Sequence, residues 1–181
     1  GVRVRRRRLA VEKALNEVFD RVAGEHGLNG FIKLGTDFRC VLVLRGVGPG
    51  VKLSLPNPLT GDKVVVRPLN RHSKLVAKAL NSFIGLAARE LEGNSVNCVV
   101  PWCMSFLDRG FKSLFKGRFN GVCVAAVEVV RGFCACAGFR VVGVRGATGY
   151  VDTNYRGKAR EAIKWARSHP VLLHFEAPDE A

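Results

Sequence analysis

The sequence is poor in acidic residues. Its 15 Asp and Glu residues stand against 29 Lys and Arg residues, which gives a formal net charge of +14, and no acidic residue precedes Glu12. Five arginines lie in this N-terminal segment. Because no nearby carboxylate neutralises them, their guanidinium groups are expected to bind a polyanion such as nucleic acid. The arginines of this start are Arg3, Arg5, Arg6, Arg7 and Arg8.

The excess of positive charge extends beyond this start. Without the five N-terminal arginines, the chain still has 24 basic residues and 15 acidic residues. We predict two parts, a flexible basic N-terminal arm at residues 1–8 and a single α+β domain at residues 9–181. A basic body of this kind is typical of a protein that stays docked on a polyanion.

Long hydrophobic runs are also absent. The richest apolar stretch, Val122 to Val144, is interrupted by Glu128, Arg131 and Arg140, so it does not have the pattern of a membrane span. At the same time, 48% of the residues are hydrophobic, which argues against disorder beyond the arm. We therefore expect a soluble intracellular protein of an organelle, nucleus or virion, with no membrane partner.

The cysteines do not form a typical disulfide or metal pattern. They lie inside apolar runs, so buried free thiols in a reducing compartment are the expected state. A four-thiolate zinc site is the less favoured alternative, because the Cys-x-Cys spacing departs from that of structural zinc sites. We predict neither a metal nor a cofactor. The six cysteines are Cys40, Cys98, Cys103, Cys123, Cys134 and Cys136.

The spacing of apolar residues predicts an α+β fold. Helical spacing occurs at residues 9–23, from residue 70 to 91 with Ser73 as a cap, and at residues 156–168. Between the first two helices, short alternating runs predict a small antiparallel β-meander. We expect this meander to pack with three to five helices. The alternating runs lie at residues 38–45, 51–55 and 63–67, and further strands are predicted at 139–144 and 171–175.

Basic residues outside the arm concentrate in three places. They lie at the start of the helix predicted from Asn70, in an aromatic-rich segment at residues 106–119, and along the last predicted helix. Aromatic rings beside cations hold single-stranded nucleic acid by base stacking, although these phenylalanines also suit the packed side of a helix. The candidate phosphate-binding residues are Arg71, Lys74, Arg109, Lys112, Lys116, Arg118, Arg156, Arg160, Lys164 and Arg167.

These features predict a nucleic-acid-binding structural protein rather than an enzyme. The expected setting is a ribonucleoprotein assembly, such as a ribosomal or organellar component or a viral capsid or nucleocapsid protein. Its partners would be nucleic acid, with RNA preferred, and the other proteins of the assembly. The only closely spaced carboxylates in an apolar setting are Glu90 and Glu92, which flank a predicted helix end and are expected to be solvated.

One enzymatic alternative is a cysteine peptidase or hydrolase. Residues 120–123 would begin a helix whose positive end activates the thiol of Cys123, with His174 or His169 as the base. The segment Leu173-His174-Phe175 resembles the way in which viral cysteine peptidases and deubiquitinase-like folds present their histidine. The chain has Val124 where those families have an aromatic residue.

A second alternative rests on the segment Gly149-Tyr150-Val151-Asp152-Thr153-Asn154-Tyr155-Arg156-Gly157. This segment resembles the hairpin of the trimeric dUTPase family. The resemblance implies that Asp152 and Tyr155 contact deoxyuridine and that the chain is a dUTPase-like nucleotide-binding protein. The chain lacks that family's Gly-Arg-Ser-Ser phosphate motif, and a turn suited to Asp and Asn explains the segment without a ligand.

Overall fold

The computed structural model describes residues 2–35, 39–57, 63–92, 98–106, 119–176 and 178. The chain divides into two compact units, Gly1–Phe106 and Leu107–Ala181. Within the described ranges, no helix is both long enough and apolar enough to cross a bilayer.

Helix α1, Val2–His26, begins inside the arginine run. The prediction of a flexible N-terminal arm is therefore wrong, because the backbone of residues 2–8 forms the first two turns of this helix. Arginine is a good helix former, and neither Gly nor Pro occurs between Val2 and Ala23. The later turns of α1 carry a stripe of apolar side chains that packs in the core of the first unit. The buried side chains of this stripe are Leu15, Val18, Phe19 and Val22.

The first unit packs α1 against a β-hairpin and a second helix. Strands β1 (Asn29–Leu34) and β2 (Cys40–Arg45) pair antiparallel, and helix α2 covers Lys74–Glu90. Phe19 of α1 meets Phe83 of α2 edge to face, with 5.8 Å between the ring centroids. This contact lies at the centre of a continuous apolar core.

Two asparagine side chains of the first unit hydrogen-bond to backbone N–H and C=O groups that do not pair with a neighbouring strand among the described residues. The amide of Asn16 accepts from the N–H of Ile32 at 2.8 Å and donates to its carbonyl at 2.9 Å. The amide of Asn81 makes the same two bonds to Val66, both at 2.8 Å. Each asparagine therefore satisfies a buried peptide group and fixes a helix against an extended segment.

Strands β3 (Leu53–Ser54) and β4 (Arg67–Pro68) form a separate antiparallel pair. A 3-10 turn at Arg71–Ser73 follows and leads into α2. Ser73, the predicted cap of α2, makes no side-chain capping bond to that helix. Its hydroxyl group instead donates to Oδ1 of Asn70 at 2.6 Å, so Asn70 organises the entry to the helix.

The second unit contains a parallel sheet. In chain order it consists of β5 (Val122–Val124), α3 (Glu128–Cys136), β6 (Arg140–Val142), α4 (Tyr155–Ala166) and β7 (Val171–Leu173). Strand β5 lies in the centre and pairs in parallel with β6 on one side and with β7 on the other. Parallel strands joined by helices make this unit an α/β structure.

This sheet corrects the predicted fold class. The expectation of an α+β protein built on a small antiparallel β-meander is wrong, because the three-stranded sheet is parallel and the antiparallel strands of the first unit form two separate pairs. Strand β5 is buried on both faces and reads as a continuous apolar run. Such a run lacks the alternation that identifies a strand, and periodicity alone does not separate it from a buried helix.

Helices α3 and α4 cover opposite faces of the sheet. Val122 and Val124 pack against Ala162 of α4, whereas Cys123 packs against Cys134 of α3. Successive side chains of a strand point to opposite faces, so β5 contributes to both layers. The carboxyl ends of the three parallel strands consequently share one edge of the sheet.

Candidate functional site

The best candidate for a functional site is this carboxyl edge, formed by the residues that follow the strands: 125–127, 143–145 and 174–176. In open α/β sheets, ligands bind outside the carboxyl ends of the strands, at the point where the strand order reverses. The chain passes from β5 to β6 on one side of the sheet and then to β7 on the other. The reversal therefore lies between β5 and β7, where residues 174–176 begin.

His174 and Glu176 are the titratable residues at this reversal point. The backbone N–H of His174 donates to the carbonyl of Val124 at 3.0 Å, which extends the pairing of β5 and β7 past the strand ends. The imidazole Nε2 lies 3.3 Å from Oε2 of Glu176. The other ring nitrogen, Nδ1, is buried and has no hydrogen-bond partner among the described residues. The side chain of His174 as a whole is 28% exposed, so part of the ring reaches the surface of this edge.

Lys158, in the first turn of α4, is buried beside Phe175, with only 1% of its surface exposed. Its Nζ is 4.6 Å from the centroid of the Phe175 ring, and the ring of Tyr155 stacks on Phe175 at 5.4 Å. Burial lowers the pKa of Lys158 below its ordinary value, and the negative charge of Glu176 opposes that shift. A cation therefore lies over the ring of Phe175, and a carboxylate lies 3.3 Å from the imidazole of the preceding residue, His174.

The loop between β6 and α4 is held by its own side chains. Asn154 caps α4, since its Oδ1 accepts from the N–H of Gly157 at 2.9 Å while its Nδ2 donates to the carbonyl of Arg145 at 2.9 Å. The hydroxyl of Thr148 donates to Asp152 at 2.7 Å. These bonds fix the start of α4 and with it the position of Lys158.

The same loop corrects the dUTPase-like interpretation. Residues 149–154 form a turn that ends in the cap of α4, and Tyr155 is the first residue of that helix, so the segment is not a hairpin. Asp152 is bonded to Thr148, and Tyr155 stacks on Phe175. Asp and Asn suit a hairpin turn and a helix cap equally well, which is why nine residues of likeness were misleading.

The structure also contradicts the alternative that the chain is a cysteine hydrolase with Cys123 as its nucleophile. Residues 122–124 form strand β5 rather than the start of a helix, and Cys123 is 0% exposed. Burial, reinforced by a contact with Cys134, raises the pKa of the Cys123 thiol to about 12, so it is not a thiolate at neutral pH. The alternative base, His169, contacts Ser168 and the edge of Trp165.

The predicted phosphate-binding residues are spread over both units. Arg3, Arg5, Arg6 and Arg7 belong to the first turns of α1, where Arg8 is half-buried. Both Arg71 and Lys74 are exposed at the entry to α2. Four of the predicted residues, Arg109, Lys112, Lys116 and Arg118, lie outside the described residues. The remaining four, Arg156, Arg160, Lys164 and Arg167, are exposed on α4 or directly after it.

Sequence reasoning missed Lys158 and Glu176. A signal for Lys158 was present, because it is four residues before Ala162 and therefore lies on the same face of α4 as that buried residue. A charged residue on the apolar face of a helix is uncommon. Glu176 carried no such signal, since it follows a strand in a short polar tail. Its importance emerges only from its distance to His174.

Comparison with known proteins found no matching family model but several similar proteins. A "Probable 2,3-bisphosphoglycerate-independent phosphoglycerate mutase" of Geobacter sulfurreducens is 31% identical over 176 residues, which cover 91% of this chain and 44% of that protein. The 2,3-bisphosphoglycerate-independent phosphoglycerate mutase of Methanosarcina mazei is 29% identical over 160 residues, covering 81% of this chain and 40% of that protein. Over most of its length, the chain is similar to phosphoglycerate mutases.

A solved structure, the cofactor-independent phosphoglycerate mutase of Thermoplasma acidophilum, is 25% identical to this chain with a TM-score of 0.40. The match covers 86% of this chain and 46% of that one. The chain thus spans less than half the length of the relatives it matches. The assignment of the second unit as α/β rests on its own strand order and pairing.

These similarities correct the predicted function. The relatives are named as enzymes that act on a small phosphorylated molecule. The expectation of a non-enzymatic protein of a ribosomal, organellar or viral ribonucleoprotein was therefore wrong, and so were its predicted partners, RNA and the proteins of such an assembly. The physical reason is that an excess of Lys and Arg attracts any anion, so net charge does not separate a nucleic acid from a phosphorylated metabolite.

Proposed function

We propose that this chain forms part of a 2,3-bisphosphoglycerate-independent phosphoglycerate mutase. The single observation that supports this most strongly is the similarity to the Geobacter sulfurreducens protein, which extends over 176 residues and both units. A match of that extent is not explained by one shared motif. The relatives are about twice as long as the chain, so part of the complete reaction site would come from sequence beyond the matched region.

The reaction defines what the carboxyl edge must supply. A phosphoglycerate mutase moves a phosphoryl group between two hydroxyl oxygens of glycerate. The oxygen that accepts the group loses a proton, and the oxygen that releases it gains one. A positioned side chain that takes up a proton and returns it lowers the barrier for both exchanges. The substrate also carries a carboxylate and a phosphate, whose negative charge the basic chain would attract.

The His174–Glu176 pair is suited to this proton exchange. Histidine is the side chain that most often serves as a general acid or base, and the carboxylate 3.3 Å from Nε2 orients the ring. The side chain of His174 is partly exposed, so its ring would reach the substrate or a water molecule bound to it. We assign the proton exchange to this pair and the binding of the substrate to the carboxyl edge around it.

The proposed compartment is intracellular and reducing. The six cysteines are all free, and three of them, Cys40, Cys98 and Cys103, are exposed. Exposed free thiols are stable where glutathione keeps them reduced. This location agrees with an enzyme that acts on a phosphorylated metabolite.

The test is an activity assay on the full natural polypeptide that carries this chain, whatever its length. 3-Phosphoglycerate is supplied without 2,3-bisphosphoglycerate, and ³¹P NMR follows the appearance of 2-phosphoglycerate. We expect conversion, with His174→Gln reducing kcat by about 100-fold, as for loss of a general acid–base group. The matched control is Arg167→Ala, an exposed change just after α4, which should leave kcat unchanged. Absence of conversion, or conversion only when bisphosphoglycerate is added, would reject the proposal.

A further inference from the structure

Lys158 is the only charged residue among those the structure describes whose side chain is buried. Moving an ammonium group out of water is costly unless its charge is compensated. An apolar side chain of the same length would pack on the same face of α4 as Ala162 without that cost. The fold by itself therefore gives no reason for a lysine at this position.

The surroundings of Lys158 supply a reason. Its Nζ lies 4.6 Å from the centroid of the Phe175 ring, close enough for a cation–π attraction, which is strongest where water is excluded. The adjacent residue, Glu176, acts on the ammonium by Coulomb attraction. Both contacts are made to the segment 174–176, so the buried charge fixes the segment that carries His174.

We propose that Lys158 is a positioning residue that holds His174 and Glu176 in their 3.3 Å arrangement at the carboxyl edge. It acts on the segment 174–176 through the ring of Phe175 and the charge of Glu176, and it does not itself touch the substrate. The catalytic part of this inference rests on the proposed function. The electrostatic interaction between Lys158 and Glu176 does not, and it can be tested separately.

The inference predicts opposite effects on stability and on activity. In Lys158→Met the side chain keeps its length and loses its charge. The melting temperature of the chain should stay unchanged or rise by about 2–4 °C, because the cost of burying the charge is removed. In the full natural polypeptide, kcat should fall by about 10- to 100-fold with a smaller change in KM, because the reacting groups are misplaced rather than lost. A lysine retained for the fold alone would lower the melting temperature when replaced.

A matched control comes from the same helix. Lys164 is exposed and lies 3.6 Å from Glu161, away from the segment 174–176. Lys164→Met should leave kcat and the ring signals of His174 in ¹H–¹⁵N NMR spectra unchanged, whereas Lys158→Met should shift those ring signals. If Lys158→Met leaves both kcat and the ring signals of His174 unchanged, the proposal is wrong.

A second variant tests the contact without altering Lys158. In Glu176→Gln the negative charge beside the ammonium is removed, so the pKa of Lys158, followed by NMR of its Cε and Nζ, should fall further than in the wild type. An unchanged titration of Lys158 would overturn the proposal even if Lys158→Met failed to fold. If the natural polypeptide shows no mutase activity, the proposed function fails, while the NMR and melting measurements still decide whether Lys158 positions the pair.

Discussion

The two units use buried polar groups in different ways. In the first unit, Ser73 is fully buried and its hydroxyl is hydrogen-bonded, and Asn16 and Asn81 each satisfy a backbone N–H and a carbonyl. In the second unit the buried ammonium of Lys158 lies beside the candidate site. The buried polar groups of the first unit satisfy hydrogen bonds of the fold, whereas Lys158 is proposed to serve the candidate site at a cost in stability. Substitutions in the two units should therefore separate stability from activity.

The largest expected effect is in the core of the first unit. Phe19→Ala removes a ring that is 2% exposed and packs edge to face on Phe83. The free energy of unfolding should fall by about 3–5 kcal/mol, measured by urea denaturation. The control Lys13→Ala, on an exposed position of the same helix, should change it little. A loss below about 1 kcal/mol for Phe19→Ala would show that this core is not tightly packed.

A smaller loss is expected where an asparagine satisfies the backbone. Asn81→Ala leaves the N–H and carbonyl of Val66 without their partner, which should reduce the free energy of unfolding by about 1–3 kcal/mol. Lys78→Ala, an exposed change one turn earlier on α2, is the matched control. Equal stability of the two variants would mean that water replaces the asparagine at no cost.

The N-terminal cap of α4 affects both the stability of the second unit and the candidate site. Asn154→Ala removes the bond to the N–H of Gly157 and should cost about 1 kcal/mol of unfolding free energy. Because the cap also places Lys158, we expect a reduced kcat in the natural polypeptide. Arg156→Ala, exposed in the first turn of α4, should leave both quantities unchanged. Full activity in Asn154→Ala would show that Lys158 keeps its place without the cap.

The smallest effect is a pH dependence in the first unit. The pKa of Glu12 lies below its ordinary 4.5. The main cause is a hydrogen bond that its carboxylate accepts from Lys33, and the second is one that it accepts from the N–H of Leu34. The stabilisation from this carboxylate is complete above pH 4.5 and is lost as the pH falls through the lower value of the folded state. Glu12→Gln should therefore flatten the acid side of the stability profile measured by thermal melting. Glu17→Gln, in an exposed ion pair with Lys13, should leave it unaltered.

The helices of the first unit could be predicted from the sequence because they are long and half-buried. Residues 9–23 show an apolar stripe at helical spacing, and α1 contains them. The helix predicted from Asn70 is present as α2. The arginine run was assigned to an arm because its charge was read as a binding feature, although nothing in residues 2–8 opposes a helix.

The second unit was harder to predict for two physical reasons. Its strands are three residues long and β5 is buried throughout, so no alternation marks them as a sheet. In α4, the apolar Ile163 is 65% exposed, whereas the charged Lys158 is buried. A rule that buries apolar residues and exposes charged ones fails at a position where a charge serves the site. His174 was noticed as a possible base, but its carboxylate partner was not.

The central claim is that the carboxyl edge of the second unit faces the substrate. Hydrogen–deuterium exchange of the full natural polypeptide, with and without 3-phosphoglycerate, tests it directly. The account predicts slower exchange in the peptides that cover residues 121–126 and 171–176, with no change in the β1–β2 hairpin. Protection confined to the first unit, or none in either unit while the enzyme turns over substrate, would contradict it.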